Sequence, residues 1–135
     1  MCLTSAFLGI RAAMLRTQFS LPPAASSPRT AREQLRPHIS GWGDDDRRDC
    51  VLVLLSELVT NAVLHARSEI TVHLDLTDDR LRVQVDDSSR TPPVRRPTRD
   101  DVPGGRGLQL LDVMSEQWGV LTSGAGKTVW FEICS

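Results

Sequence analysis

Between residues 51 and 66 the chain reads VLVLLSELVTNAVLHA, apolar enough for a core helix yet interrupted at steps of four by Glu57, Asn61 and His65. At about 100° per residue these three fall within about 80° of one another and form one polar stripe. Val51, Leu52, Leu55, Leu58, Val59, Ala62, Val63 and Ala66 fill the wide arc beside it, which is the core-facing pattern of a packed helix. Val53 and Leu64 flank the stripe on its other side, while Ser56, Thr60 and Arg67 read as the solvent side. A carboxylate and an amide held among apolar residues are costly without partners. The stripe is therefore expected to face a cavity.

The other segments fall into place around this helix. TQFSLPP (17–23) predicts a short strand stopped by prolines. Ser27 as cap and Pro28 in the first turn predict a helix to about Ile39, with Pro37 kinking or ending it. Asp44, Asp45 and Asp46 complement the positive end of the next helix, which runs to His65 or Ala66. EITVHLDLT and RLRVQVDD alternate apolar and polar residues across a TDDR turn, a hairpin with one buried face. Residues 88–104, rich in proline and charge, read as a long functional or mobile loop. GGRGLQLLDVMSEQW opens a helix on Leu108, Leu111 and Met114, and WGVLTS with KTVWFEIC forms a second hairpin across a GAG turn. This order predicts an α+β fold, a two-layer sandwich whose mixed, mainly antiparallel sheet carries helices on one face.

Length and composition narrow the picture only a little. The 135 residues suffice for one domain with its own core. Residues 1–18 are expected to be a disordered extension and 19–135 the folded domain. A net charge of −1 gives no bulk attraction to nucleic acid or anionic membranes. No apolar run reaches the ~20 residues of a membrane span, and the N-terminal segment lacks the features of a signal peptide. Cys2, Cys50 and Cys134 have no metal-like spacing and are expected to be reduced thiols in a cytoplasmic protein. Trp42, Trp118 and Trp130 read as packing residues, and His38 and His73 as surface or helix-end residues.

Four stretches carry chemistry, each with a plainer alternative. The stripe offers Asn61, a hard oxygen donor suited to Mg²⁺, one turn after Glu57, a carboxylate able to orient or deprotonate a hydroxyl; it reads equally as a polar stripe satisfied by backbone or loop. VDDSS, at a strand end, offers a carboxylate for an exocyclic amine, or ordinary turn chemistry. PGGRGLQLL presents free backbone N–H groups and Arg106 to an anion at a helix start, or a flexible N-cap. It fits neither a P-loop nor a dinucleotide fingerprint. GAGKT reads first as a tight hairpin, with Lys127 and Thr128 as the residues that could touch a ligand at the sheet edge.

Taken in order, ELVTNAVLHA, VDDSSRTPP, GGRGLQLLDVMSEQWGV and GKTVWFEI resemble the histidine-kinase-like ATPases, the superfamily that includes gyrase and MutL, over residues 19–133. Within it the chain is similar to the short anti-sigma-factor, serine-protein-kinase branch of actinobacterial regulators. The resemblance implies a Bergerat-type ATP-binding fold with ATP and Mg²⁺ as ligands. It assigns Asn61 to the metal, Glu57 to catalysis, His65 to the phosphate region and Asp87, rather than Asp86, to the adenine amine. Ser89 stands where the superfamily has a glycine. Gly104, Gly105, Arg106 and Gly107 match the glycine box over the phosphates, and Thr128 the threonine near adenine. The implied protein is a serine/threonine kinase acting as an anti-sigma factor or on an anti-sigma-factor antagonist. The alternative is a module that binds ATP and sequesters a regulator without phosphoryl transfer. An exposed sheet edge allows a homodimer.

Overall fold

The alternating segments pair into a single sheet covered on one face by helices. In the computed structural model, which describes residues 15–65, 68–88, 107–124 and 126–135, the order is β1 (Leu15–Leu21), α1 (Ser27–Ile39), α2 (Asp45–His65), β2 (Ile70–Leu76), β3 (Arg80–Asp87), α3 (Gly107–Met114), β4 (Gln117–Ser123) and β5 (Gly126–Cys134). The strands lie in the order β1-β2-β3-β5-β4. Every neighbouring pair is antiparallel, so the sheet expected as mixed has no parallel pair among the described residues. The connections explain this. Two helices, rather than one, separate β1 from β2, and a helix plus a strand separate β3 from β5, so each return runs opposite to its neighbour.

The first strand begins at Leu15 rather than Thr17, pairing Leu15 with Leu76, and it ends before Pro22. Residues 15–18 thus belong to the sheet and not to an N-terminal extension; residues 1–14 lie outside the described residues. Ser27 does not cap α1. It is buried, and its hydroxyl donates to the Pro22 carbonyl, while Ser26 occupies the cap position without a side-chain bond. Ala31, Leu35 and Ile39, one turn apart, form the buried stripe of α1. Pro37 lies inside the helix, two residues before its end. At the start of α2 the Asp44 carboxylate accepts a 2.8 Å bond from the Arg47 N–H. That bond, aided by the Arg47 charge, lowers the Asp44 pKa from its ordinary value. A carboxylate lowered on folding supports the fold above its unfolded pKa and loses that support as pH falls through the folded value.

Period-two alternation divides the sheet cleanly. Val72 and Leu74 of β2, Leu81, Val83 and Val85 of β3, and Val129, Phe131 and Ile133 of β5 point to the helices and form the core with α2. Arg82, Gln84, Asp86, Thr128 and Trp130 point the other way. There the Arg82 guanidinium lies 4.2 Å from the Trp130 ring centre, and Gly119 is the cross-strand partner of Trp130. A Cβ on Gly119 would come 2.7 Å from the indole nitrogen. Gly119→Ala is therefore expected to displace the ring from Arg82 and to cost about 1–2 kcal/mol, read as a lower urea midpoint at unchanged slope.

Trp42 is buried as expected, and its indole N–H has no hydrogen-bond partner among the described residues. Cys50 is a free thiol whose pKa is raised, first by burial and then by Asp46 and Asp49. Cys134 is disulfide-bonded, against the expectation of reduced thiols. Among the described residues no helix is long and apolar enough to cross a membrane.

Candidate functional site

The hairpin β2–β3 determines where the site can be. β2 starts just after the C-terminal turn of α2, and β3 returns antiparallel beside it, so Asp86 pairs with Thr71. The end of β3 is thereby carried back to the end of α2. Ser68 and Ser88 share a hydrogen bond across this junction. The polar end of the α2 stripe and the carboxylate end of β3 therefore lie at one edge of the fold.

On α2, Glu57 and Asn61 are half-buried and His65 is exposed. The flanking Val53 and Leu64 are 41% and 45% exposed, so solvent reaches the stripe from that side. Ser56 and Thr60 are not the wet side. They are half-buried, with the Arg32 guanidinium of α1 donating to the Ser56 hydroxyl at 2.7 Å and the Thr60 hydroxyl donating to the Ser56 carbonyl. α1 covers that flank, which the helix pattern alone does not reveal. The stripe is thus half-buried at its middle and open at its end, a suitable wall for a polar ligand.

On β3 the inward row reads Leu81, Val83, Val85 and then Asp87, a carboxylate where the alternation calls for an apolar side chain. It faces Lys127, its cross-strand partner on β5, with Nζ 3.6 Å from Oδ2 and both side chains 3% exposed. Gly126 makes the approach between the strands feasible. Its φ is +152°, and a Cβ there would sit 2.1 Å from the Asp87 carbonyl oxygen.

The neighbouring aspartate does something else. Asp86 faces the open side of the sheet, where it takes 2.9 Å from His73 Nε2, a 2.7 Å bond from the Thr128 hydroxyl and a 3.2 Å bond from the Gln84 amide. Thr128, expected near the adenine, is therefore on the opposite face from Asp87. Strand parity is the reason: Thr128 is out of phase with Val129 and Phe131, and Lys127 is in phase with the latter. The sequence reading puts Lys127 and Thr128 together as candidate ligand contacts at the sheet edge; the alternation along KTVWFEI separates them and turns Lys127 inward, where it is buried. His73, read as a surface residue, is half-buried in the Asp86 network.

Gly107 begins α3, which packs on α2. Ser89, Gly104, Gly105 and Arg106 lie outside the described residues. The arrangement brings together an amide oxygen with a carboxylate one turn earlier, and a buried carboxylate with a buried ammonium at the adjoining strand end. Among the described residues no three His, Cys, Asp or Glu side chains cluster as a metal cage. A cation here would use Asn61 together with ligand oxygens and water, the habit of Mg²⁺ rather than of zinc.

The profile of a family described as histidine kinase-like ATPase domain matches residues 21–133. No curated protein sequence matches the chain. Among solved structures, the RsbU and RsbW domains of Rv1364c from Mycobacterium tuberculosis superpose with a TM-score of 0.68 at 20% identity, over 89% of this chain and 32% of that one. A blue-light activated histidine kinase, EL346 of Erythrobacter litoralis, superposes with a TM-score of 0.51 at 25% identity, over 84% of this chain and 42% of that one. The chain thus spans less than half the length of either structure.

Proposed function

The chain belongs to the histidine kinase-like ATPase domain family, and from that premise we propose that the edge formed by α2 and β3 binds ATP with Mg²⁺ and that the protein transfers the γ-phosphoryl group to a serine or threonine of a regulatory partner. The observation that carries this reading is the buried Asp87 carboxylate at the edge reached by the C-terminal end of the stripe on which Glu57 and Asn61 lie half-buried. In this reading Asp87 accepts a hydrogen bond from the adenine amine and the Asn61 carbonyl helps hold the metal. His65 and the glycine box of Gly104, Gly105, Arg106 and Gly107 serve the phosphates. Bound Mg²⁺ supplies charge neutralisation for the transferring group. Glu57 accepts the proton of the attacking hydroxyl as the new P–O bond forms and the β–γ bridging oxygen departs with ADP. Most of the catalysis would come from positioning and electrostatics.

The partner we propose is a sigma factor or an anti-sigma-factor antagonist. This rests on the sequence resemblance to the anti-sigma-factor kinase branch and on the fold shared with a structure that contains an RsbW domain. The sheet edges β1 and β4 are the surfaces available to a homodimer.

Calorimetric titration with ATP, with and without Mg²⁺, tests the pocket. Wild type is expected to bind in a Mg²⁺-dependent manner. Asp87→Asn and Asn61→Ala should each weaken binding about tenfold or more, the worth of one charge-assisted or metal contact. Glu57→Ala should keep affinity and lose transfer to a serine-containing partner. Transfer absent from wild type as well would leave an ATP-binding module without kinase activity. No binding at millimolar ATP would overturn the nucleotide reading.

A further inference from the structure

Lys127 is the only lysine in the sequence, and it is buried. Lysine is almost never fully buried unless paired, and here the pair is Asp87, the residue read above as the acceptor of the purine amine. At 3.6 Å the contact is an ion pair and too long for a hydrogen bond. An ammonium carries three donors, so a ligand atom beside the carboxylate can still be reached from Nζ.

We propose that Lys127 is a base-recognising residue of the nucleotide site, donating to the ring nitrogen next to the exocyclic amine held by Asp87. The proposal rests on the reading that Asp87 holds that amine. Adenine presents an amine donor flanked by ring-nitrogen acceptors, N1 on one side and N7 on the other. The Asp87–Lys127 pair presents the complement, an acceptor beside a donor, in a water-poor position at the end of the apolar row formed by Val85 and Val129. Strand register sets this arrangement. Lys127 is the cross-strand neighbour of Asp87, and Gly126 lets the two strands close at that point. Lys127 balances the Asp87 charge, and on nucleotide binding it reads the atom beside the amine.

Calorimetry with ATP, 1-deaza-ATP and 7-deaza-ATP on the wild-type chain tests this directly, because each analogue deletes one ring acceptor without touching the fold. One analogue is expected to bind about tenfold more weakly than ATP. That discrimination should vanish in Lys127→Met. Lys127→Arg, which keeps a cation against Asp87, carries the same test should the methionine variant not fold. Discrimination changes there if Nζ touches the ring, and holds its wild-type value if it does not. Equal affinity of wild type for all three nucleotides, or discrimination unaltered in the Lys127 variants, would overturn the proposal and leave Lys127 as a structural counter-charge. Failure of wild type to bind ATP itself would instead remove the nucleotide reading on which the proposal depends.

Discussion

Gly126→Ala is expected to destabilise the fold by about 3 kcal/mol or more, summing a strained backbone and an overpacked contact. The Cβ would meet the Asp87 carbonyl oxygen at 2.1 Å and the Ser88 Cα at 2.9 Å, both backbone atoms that no rotamer change can clear. The φ of +152° adds a conformation that L side chains rarely adopt. Relief requires β5 to move away from β3 at the point where Asp87 and Lys127 meet. The variant should therefore also weaken nucleotide binding, even as the folded fraction is restored by lower temperature. Gly124→Ala is the control. Nothing lies within 4 Å of its Cβ position, so its stability should stay within about 0.5 kcal/mol of wild type. Urea unfolding of the two variants, with equal slopes, checks both values; a Gly126→Ala midpoint equal to that of Gly124→Ala would refute the close approach.

Leu54→Ala is the second large effect, expected at about 3 kcal/mol, whereas Val53→Ala should be neutral or slightly stabilising. The two residues are adjacent on α2, yet Leu54 is fully buried and Val53 is 41% exposed. Truncating Leu54 leaves a cavity between the helix and its neighbours. Truncating Val53 removes a β-branched residue from an exposed helix position, where alanine is the better helix former. Thermal unfolding separates them: a fall of about 10 °C for Leu54→Ala against almost no change for Val53→Ala.

Leu54 also marks a limit of reading the helix from its pattern. By angle it falls between Asn61 and His65, on the stripe itself, so the stripe is polar only along the C-terminal half of α2. The pattern locates the arc that faces the core, but not where along the axis a neighbouring element ends. For the same reason Ser56 and Thr60 read as wet although Arg32 of α1 covers them. The elements themselves were legible to within a few residues, because alternation and four-residue spacing are strong along β2, β3, β5 and α2. Strand direction was less so, since it depends on how many elements a connection contains.

In the site, the placement of Asp87 on the helix side agrees with the parity of RLRVQVDD. The same parity applied to GKTVWFEI separates Lys127 from Thr128, and matching by motif alone hid that distinction. Nothing in the local sequence announces the His73–Asp86–Thr128 cluster. It joins three strands, and only their register brings the side chains together.

The strand order also shapes how the chain reaches this structure. β2 with β3 and β4 with β5 are hairpins that can form locally within microseconds. The seam between β3 and β5 instead joins segments separated by α3, β4 and residues 88–106. Pairing along that seam is then expected to be slower than either hairpin, since non-local pairing must bear its closure entropy before contacts offset it. Asp87 and Lys127 lie at the far end of the same seam. The proposed ligand edge is thus assembled only when β3 and β5 have paired, and neither strand carries it alone.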